Sequence, residues 1–251
     1  MKIKLIEKRD EASGIKSFFW QPEKEVKWIA GQYYYFTLPQ MKYPDPRGAT
    51  RHFTISSSPT EGGVIRITTR IRQESGFKKT LDELPIGAEI EGEGPNGTFF
   101  LDESTTSSNV FIAGGIGITP FRSIIKNQID KQSLPSDGKN LQTPIHLIYS
   151  NSTPEEITFR SELEEWPKTH PFLKVDMTIS HPEEAKSPWT GITGRVDEPL
   201  IRKLVENWKL EIGNCVFWVC GPPAMSDAMT EVLGKMGVRA DKLRIEKFTG
   251  Y

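Results

Sequence analysis

Two regimes of hydrophobic patterning divide the chain. Up to about Phe100 the apolar residues come in short alternating runs: Ile3 and Leu5 between lysines, then Ile15–Trp20, Tyr33–Leu38 and Val64–Arg72, with Ile90 in a further short run. Period-two alternation over such lengths predicts β-strands with one buried face. About six of them with few helical signals predict a small antiparallel, Greek-key-like β-barrel. In Val64–Arg72, Ile65, Ile67, Thr69 and Ile71 fall on one face and Arg66, Thr68, Arg70 and Arg72 on the other. The expectation there is a half-buried strand with a basic outer row.

From Asn109 the pattern changes to short, continuous apolar runs separated by amphipathic stretches. Val110–Ala113, Ile145–Tyr149, Val175–Ser180, Val216–Cys220 and Leu243–Ile245 read as strands buried on both faces. Thr153-Pro154-Glu155-Glu156 reads as a capping box ahead of the stripe Phe159, Leu163 and Trp166. Leu200, Ile201, Leu204, Val205 and Trp208 mark another helix. Met225, Met229, Val232, Leu233 and Met236 mark the last, with Gly237 closing it. Alternating strand and helix predict an α/β, doubly wound, five-stranded parallel sheet. In the order 3-2-1-4-5, strands one and four adjoin at the switch point, where ligands bind. The polar stretch Ser104–Ser108 then separates a barrel domain (1–103) from an α/β domain (109–251).

Charge narrows the function classes. Among 251 residues, 32 basic and 33 acidic side chains nearly cancel, which argues against a nucleic-acid or polybasic membrane binder. No apolar run approaches a membrane span, and the first residues show no signal-peptide core, so a cytoplasmic protein without membrane insertion is expected. Cys215 and Cys220 lie an odd number of positions apart in one strand, on opposite faces, and are not expected to pair. Two thiols are too few for a cysteine-ligated iron–sulfur cluster, and the four scattered histidines show no metal-binding spacing.

Candidate chemistry concentrates in four stretches. In Asn109–Ile125 the first strand runs into Gly114, Gly115 and Gly117, then Thr119 and Pro120, suited to an N-cap and a first helical residue. Such a turn either seats a pyrophosphate on backbone N–H groups or is an ordinary tight connection. Cys220-Gly221-Pro222-Pro223 ends the fourth strand, beside that turn in the expected order. Arg51–Pro59 sets a cation, a ring and hydroxyls on one segment, either a plain amphipathic strand or a holder of a flat, phosphorylated ligand. Ser75–Leu81 begins a short helix with Ser, Gly and Lys, either a phosphate seat or a solvated lysine pair.

Taken together these stretches closely resemble the ferredoxin–NADP reductase superfamily over essentially the whole chain. Its RxYSxxS motif is similar to Arg51, Phe53, Thr54 and Ser57, with Phe in place of the usual Tyr, and its phosphate helix GxxS to Ser75, Gly76, Phe77 and Lys78. The resemblance implies that Arg51 contacts flavin phosphate, Phe53 stacks on the isoalloxazine and Thr54 lies near flavin N5, with Arg70 also in the flavin-binding set. It implies that Gly114, Gly115, Gly117, Thr119 and Pro120 hold the nucleotide pyrophosphate, with Ser180, Cys220, Gly221 and Pro222 along the rest of the nucleotide. Glu246-Lys247-Phe248 resembles the terminal acid–x–aromatic segment, whose acid assists at the transfer site and whose ring covers the flavin; Tyr251 is a second candidate for that ring. Thr54, Cys220 and Glu246 are the implied catalytic residues, shaping the site without covalent intermediates. The implied cofactor is FAD rather than FMN, and the nucleotide substrate is NADH or NADPH, with NADH favoured because His181 and Pro182 follow Ser180. The implied activity is hydride uptake from NAD(P)H and single-electron delivery to a separate acceptor, an iron–sulfur ferredoxin, by a monomer. The alternatives are a free-flavin or ferric-chelate reductase and a non-catalytic flavin-holding subunit. Arg66, Arg70, Arg72, Lys78 and Lys79 form the candidate basic docking face.

Overall fold

The computed structural model describes residues 1–102, 107–132 and 143–249. By contact the chain falls into two units. One comprises Met1–Leu101 together with Thr119–Lys131; the other takes Asp102–Ile118 and the described residues from Gln132 onward. Ser104–Thr106 of the expected boundary stretch lie outside the described residues.

In the first unit, strands β1 (Lys2–Ala12), β2 (Ile15–Pro22), β3 (Tyr33–Thr37), β4 (Thr50–Thr54), β5 (Ile65–Arg70) and β6 (Glu89–Asn96) form an antiparallel sheet in the order β4-β3-β6-β1-β2-β5, with helix α1 (Gly76–Glu83) between β5 and β6. An antiparallel bridge between Ile55 and Ile67 joins the two edges and closes the sheet. Its core gathers Phe18, Trp20, Tyr34, Phe36, Phe77 and Leu81. The expected basic outer row on β5 is not found. Arg66 and Thr68 are each 3% exposed, because the polar face has internal partners. The Arg66 guanidinium bonds Ser17 Oγ (3.0 Å) and Glu11 (2.6 Å), and Thr68 joins Ser17 and Ser56 in a buried hydroxyl chain.

In the second unit the chain runs β7 (Ser108–Gly114), α2 (Ile118–Gln132), β8 (Ile145–Asn151), α3 (Arg160–Thr169), β9 (Leu173–Ile179), β10 (Ile192–Thr193), α4 (Glu198–Asn207), β11 (Cys215–Gly221), α5 (Pro223–Lys235) and β12 (Leu243–Lys247), α2 belonging by contact mostly to the first unit. The sheet is parallel, in the order β10-β9-β8-β7-β11-β12. This is the expected 3-2-1-4-5 with a sixth strand on one edge, only two residues long and below the reach of any hydrophobic pattern. Cys215 and Cys220 are free and buried on β11. Gly237 (φ +85°) closes α5 as expected. The capping box does not form: residues 154–156 make a separate 3₁₀ turn with no side-chain cap. The neighbouring Glu155 carboxylate accepts Lys186 N–H (3.1 Å) and the Ser187 hydroxyl. Helix α3 starts later, at Arg160, after Phe159 in the left-handed region (φ 59°).

Candidate functional site

On the barrel unit, the expected phosphate residues converge at the start of α1. Arg51 Nη1 donates to the carbonyls of Arg47 (2.8 Å), Gly48 (3.0 Å) and Thr50 (2.7 Å), and Nη2 to Asp45 (2.5 Å). Ser75 caps α1 by accepting Lys78 N–H, and Gly76 is required because a Cβ there would lie 2.1 Å from the Pro44 carbonyl oxygen. Lys78 is buried rather than a solvated surface lysine. Burial, with Arg72, Arg47, Arg70 and Arg51 around it, holds its ammonium down to about 8. Arg51 Nε is buried with no hydrogen-bond partner. A buried, unpaired guanidinium N–H beside mutually repelling cations at a helix N-terminus fits the diphosphate of a flavin.

The remaining flavin candidates lie on or just beyond β4. Phe53 is half-buried, with its ring against Phe36 (5.9 Å) and Phe77 (6.0 Å). Thr54 is 5% exposed and pairs with Tyr33. The Ser57 hydroxyl donates to Val64 O (2.8 Å) and accepts Arg66 N–H (3.0 Å), so it is engaged in holding its own loop. Sequence reasoning missed the clamp on that loop. Arg122 of α2 donates to Ser56 O (2.9 Å) and to both carboxylate oxygens of Glu61 (2.6 and 3.1 Å), while the Ser123 hydroxyl donates to Ser57 O (2.6 Å). It also missed Asp45, whose only sequence signal is a lone acid in a proline-rich loop ahead of two arginines.

On the α/β unit, the glycine loop and the end of β11 pack backbone to backbone. A Cβ on Gly117 would meet Cys220 O at 2.2 Å, and one on Gly114 would meet Met225 Sδ at 2.1 Å. These two glycines therefore serve close packing. Gly115, at φ +51°, has open space where a side chain would stand, so its glycine requirement comes from the backbone conformation. Thr119 does not cap the helix. Residues 115–117 form a 3₁₀ turn that runs straight into α2, and Ile118 N–H is satisfied by Gly115 and Ile116 carbonyls, so Thr119 and Pro120 sit inside the first turn.

Pro222 precedes α5, and Phe248 N–H donates to Gly221 O (3.0 Å), tying the chain end to the Cys220–Pro222 turn. Glu246 is the register partner of Cys220. Its Oε2 is buried without a partner, and burial raises the carboxyl to about 7. Ser180 Oγ and His181 Nδ1 lie 2.9 Å apart, and the turn Pro182–Glu184 follows, with Glu183 and Glu184 exposed. Tyr251 lies outside the described residues. Among the described residues, no group of three or more His, Cys, Asp or Glu side chains is placed to hold a metal ion, and no helix is long and apolar enough to cross a membrane.

Two family models match the chain. The profile of the oxidoreductase FAD-binding domain matches residues 2–101, and that of the oxidoreductase NAD-binding domain matches residues 111–231. NADH-cytochrome b5 reductase 1 of Aspergillus oryzae is 31% identical over 192 residues, covering 76% of this chain and 63% of that protein. The phenol hydroxylase P5 protein of Acinetobacter pittii is 27% identical over 246 residues, covering 97% of this chain and 64% of that one. The chain thus spans about three fifths of the length of these curated relatives. The FAD/NAD-binding domain of Vibrio cholerae nitric oxide dioxygenase shares the fold, with a TM-score of 0.78 at 20% identity over 98% of both chains. With an FAD-binding barrel and an NAD-binding α/β domain in this order, the chain belongs to the ferredoxin–NADP reductase superfamily of flavin- and nicotinamide-dependent oxidoreductases.

Proposed function

We propose that this protein is an NADH-dependent flavoprotein reductase that delivers electrons singly to a separate carrier protein, an iron–sulfur ferredoxin. The observation that carries the reading is the pairing of Cys220 with the buried, unpartnered Glu246 at the turn that packs on the glycine loop. Bound FAD supplies a two-electron acceptor for hydride and a one-electron donor to the carrier. Gly115 and the first turn of α2 hold the dinucleotide pyrophosphate. Cys220 and Glu246 orient the nicotinamide, which accounts for most of the rate at near-contact distance. Arg51, α1 and the surrounding cations hold the flavin phosphates, and Phe53 and Thr54 line the ring. Ser57 supports the loop that follows.

Preference for NADH rests on the turn after β9. Its acids, Glu183 and Glu184, suit a ribose hydroxyl and repel a 2′-phosphate, and His181 is a weak anchor for one. Acceptor docking falls to Arg70, Arg72 and Lys79, since Arg66 and Lys78 are buried. That the relatives include a reductase named for cytochrome b5 and a phenol hydroxylase component supports a protein acceptor as a class.

The test is anaerobic mixing of the FAD-loaded protein with NADH or NADPH, followed by steady-state assays with ferricyanide, free flavin, a ferredoxin and cytochrome b5. Fast bleaching of the flavin by NADH, a higher kcat/KM for NADH than NADPH, and ferredoxin reduction faster than that of free flavin are expected. An absence of bleaching would leave only a flavin-holding role. Faster turnover with cytochrome b5 than with ferredoxin would replace the proposed acceptor.

A further inference from the structure

The loop between β3 and β4 sets a carboxylate on the donors that the flavin-phosphate reading uses. Asp45, 4% exposed, accepts Arg47 N–H (3.0 Å) and Arg51 Nη2–H (2.5 Å) on Oδ1, and Phe77 N–H (3.0 Å) and Ser75 Oγ–H (3.1 Å) on Oδ2. The loop is fastened along α1 rather than draped over it. Tyr43 N–H donates to Thr80 Oγ1 (3.3 Å), the Tyr43 hydroxyl donates to Glu83 (2.6 Å), and the Lys79 ammonium lies 4.0 Å from the Tyr43 ring centroid. Pro44 O fills the space that a Gly76 side chain would take. The negative charge at the positive end of α1 is therefore a fixture of the fold.

We infer that Asp45 is a specificity determinant for the flavin, a resident anion beside the phosphate seat that selects the singly charged phosphates of FAD over the doubly charged monoester of FMN. The inference rests on the reading that Arg51 and α1 hold the flavin phosphate. The cations around the seat attract any phosphate. A phosphomonoester, however, with its second ionisation near about pH 6, concentrates two charges on one phosphorus at neutral pH. Each phosphate of FAD carries one. Repulsion from a fixed carboxylate scales with the local charge, so the monoester pays it twice. With Phe77 N–H and Arg51 Nη2 already bonded to Asp45, an arriving phosphate must also share those donors.

The groups facing Asp45 are Arg47 on its own loop, Arg51 on β4, and Ser75 and Phe77 at α1, while Arg47, Arg51, Arg70 and Arg72 surround Lys78 nearby. Burial, then Arg47, holds the His52 imidazole below its ordinary value. Comparing the wild type with Asp45→Asn at each pH separates the Asp45 charge from these other groups.

The test strips the protein of flavin and titrates FAD, FMN and uncharged riboflavin by fluorescence quenching at about pH 5.5 and about pH 7.5. The cations around the seat favour the dianion, so FMN gains on FAD as pH rises in both proteins, but by less in the wild type than in Asp45→Asn; an equal gain in both overturns the inference. Asp45→Asn keeps an oxygen for Phe77 N–H and removes the charge. It lowers the ratio Kd(FMN)/Kd(FAD) about tenfold at the higher pH and leaves riboflavin unchanged. An unchanged ratio reduces Asp45 to an anchor of the loop and overturns the inference. Asp45→Ser, which keeps a hydroxyl acceptor for Phe77 N–H, decides the matter if the Asn variant does not fold, an unchanged ratio again overturning the inference. Failure of the underlying reading appears separately, as Arg51→Ala protein that binds both nucleotides with undiminished affinity.

Discussion

Cys220 and Glu246 sit side by side in the β11–β12 ladder, a fully buried thiol next to a carboxyl whose Oε2 has no partner. The Glu246 carboxylate makes the thiol harder to ionise. Burial raises Glu246 to about 7, and burial together with Glu246 pushes the Cys220 thiol well above its usual range, so Cys220 acts as a neutral group.

The stability consequence has a definite sign. A folded-state value above the unfolded one means that the protonated carboxyl stabilises the fold fully below about pH 4.5, and that this is lost as pH rises through about 7. The whole effect is at most about 3 kcal/mol. Glu246→Gln is neutral at every pH, so its flavin-free form should melt higher than wild type at about pH 8 and alongside it at about pH 4.5. A loss at about pH 8 that shrinks towards about pH 4.5 would show that the carboxylate has a partner in solution.

Arg122→Ala should be among the most destabilising single changes in the barrel unit. The side chain is 2% exposed, and its removal leaves the Glu61 carboxylate and the Ser56 carbonyl without their main donor. Breaking one side of a buried pair costs about 3–5 kcal/mol, moderated here because Glu61 is 27% exposed. Urea unfolding measures it directly. A loss under about 1 kcal/mol would place the pair in the surface class.

That clamp also marks the limit of what the sequence displays. The barrel, the parallel sheet and its 3-2-1-4-5 order follow from alternation and apolar runs, which are local signals with fixed periods. The Gly114–Gly117 and Cys220–Pro222 turns stand out because glycine and proline constrain the backbone wherever they occur. Arg66 was placed in a solvated row and proves buried, because its partners Glu11 and Ser17 come from strands about fifty residues away. Arg122 and Glu61 are separated equally widely, and Asp45 reaches α1 across 30 residues or more. Buried charge pairs have no period. The two-residue β10 shows the same limit on a smaller scale, since its backbone partners lie on β9, more than ten residues away.

His146 makes the α/β unit sensitive to acid. Its ring is 5% exposed, packs on Trp208 (4.8 Å between centroids) and keeps Nδ1 buried without a partner. Burial, with Lys174 alongside, lowers it to about 4. The unfolded chain therefore takes up a proton near pH 6.5 that the folded chain refuses, and stability falls as pH drops from about 6.5 towards 4, by at most about 3 kcal/mol. His146→Leu should remove this part of the acid limb while leaving the neutral-pH midpoint within about 1.5 kcal/mol of wild type. An unaltered acid limb in chemical denaturation would show that the imidazole is already hydrated.

The chain end offers the most direct test of the proposed gate. An aromatic residue this near a terminus ordinarily frays, but Phe248 N–H is bonded to Gly221 O, and Lys247 ahead of it pairs with Asp227 (2.6 Å) and stands in register with Gly221. The backbone is thus tied down through position 248. The family resemblance implies that the Phe248 ring covers the flavin face that the nicotinamide must reach. Stacking worth about 0.5–1.5 kcal/mol is enough to occupy that face and weak enough to yield it. Phe248→Ala should then tighten binding of oxidised nucleotide several-fold and lower kcat by slowing release, with a matching change in the flavin absorbance band. Deleting residues 249–251 should do less, because the hydrogen bond that holds the tail lies upstream of the cut. If Phe248→Ala leaves nucleotide affinity and spectrum unchanged while loss of Tyr251 alters both, the gating ring is Tyr251 and Phe248 only anchors it.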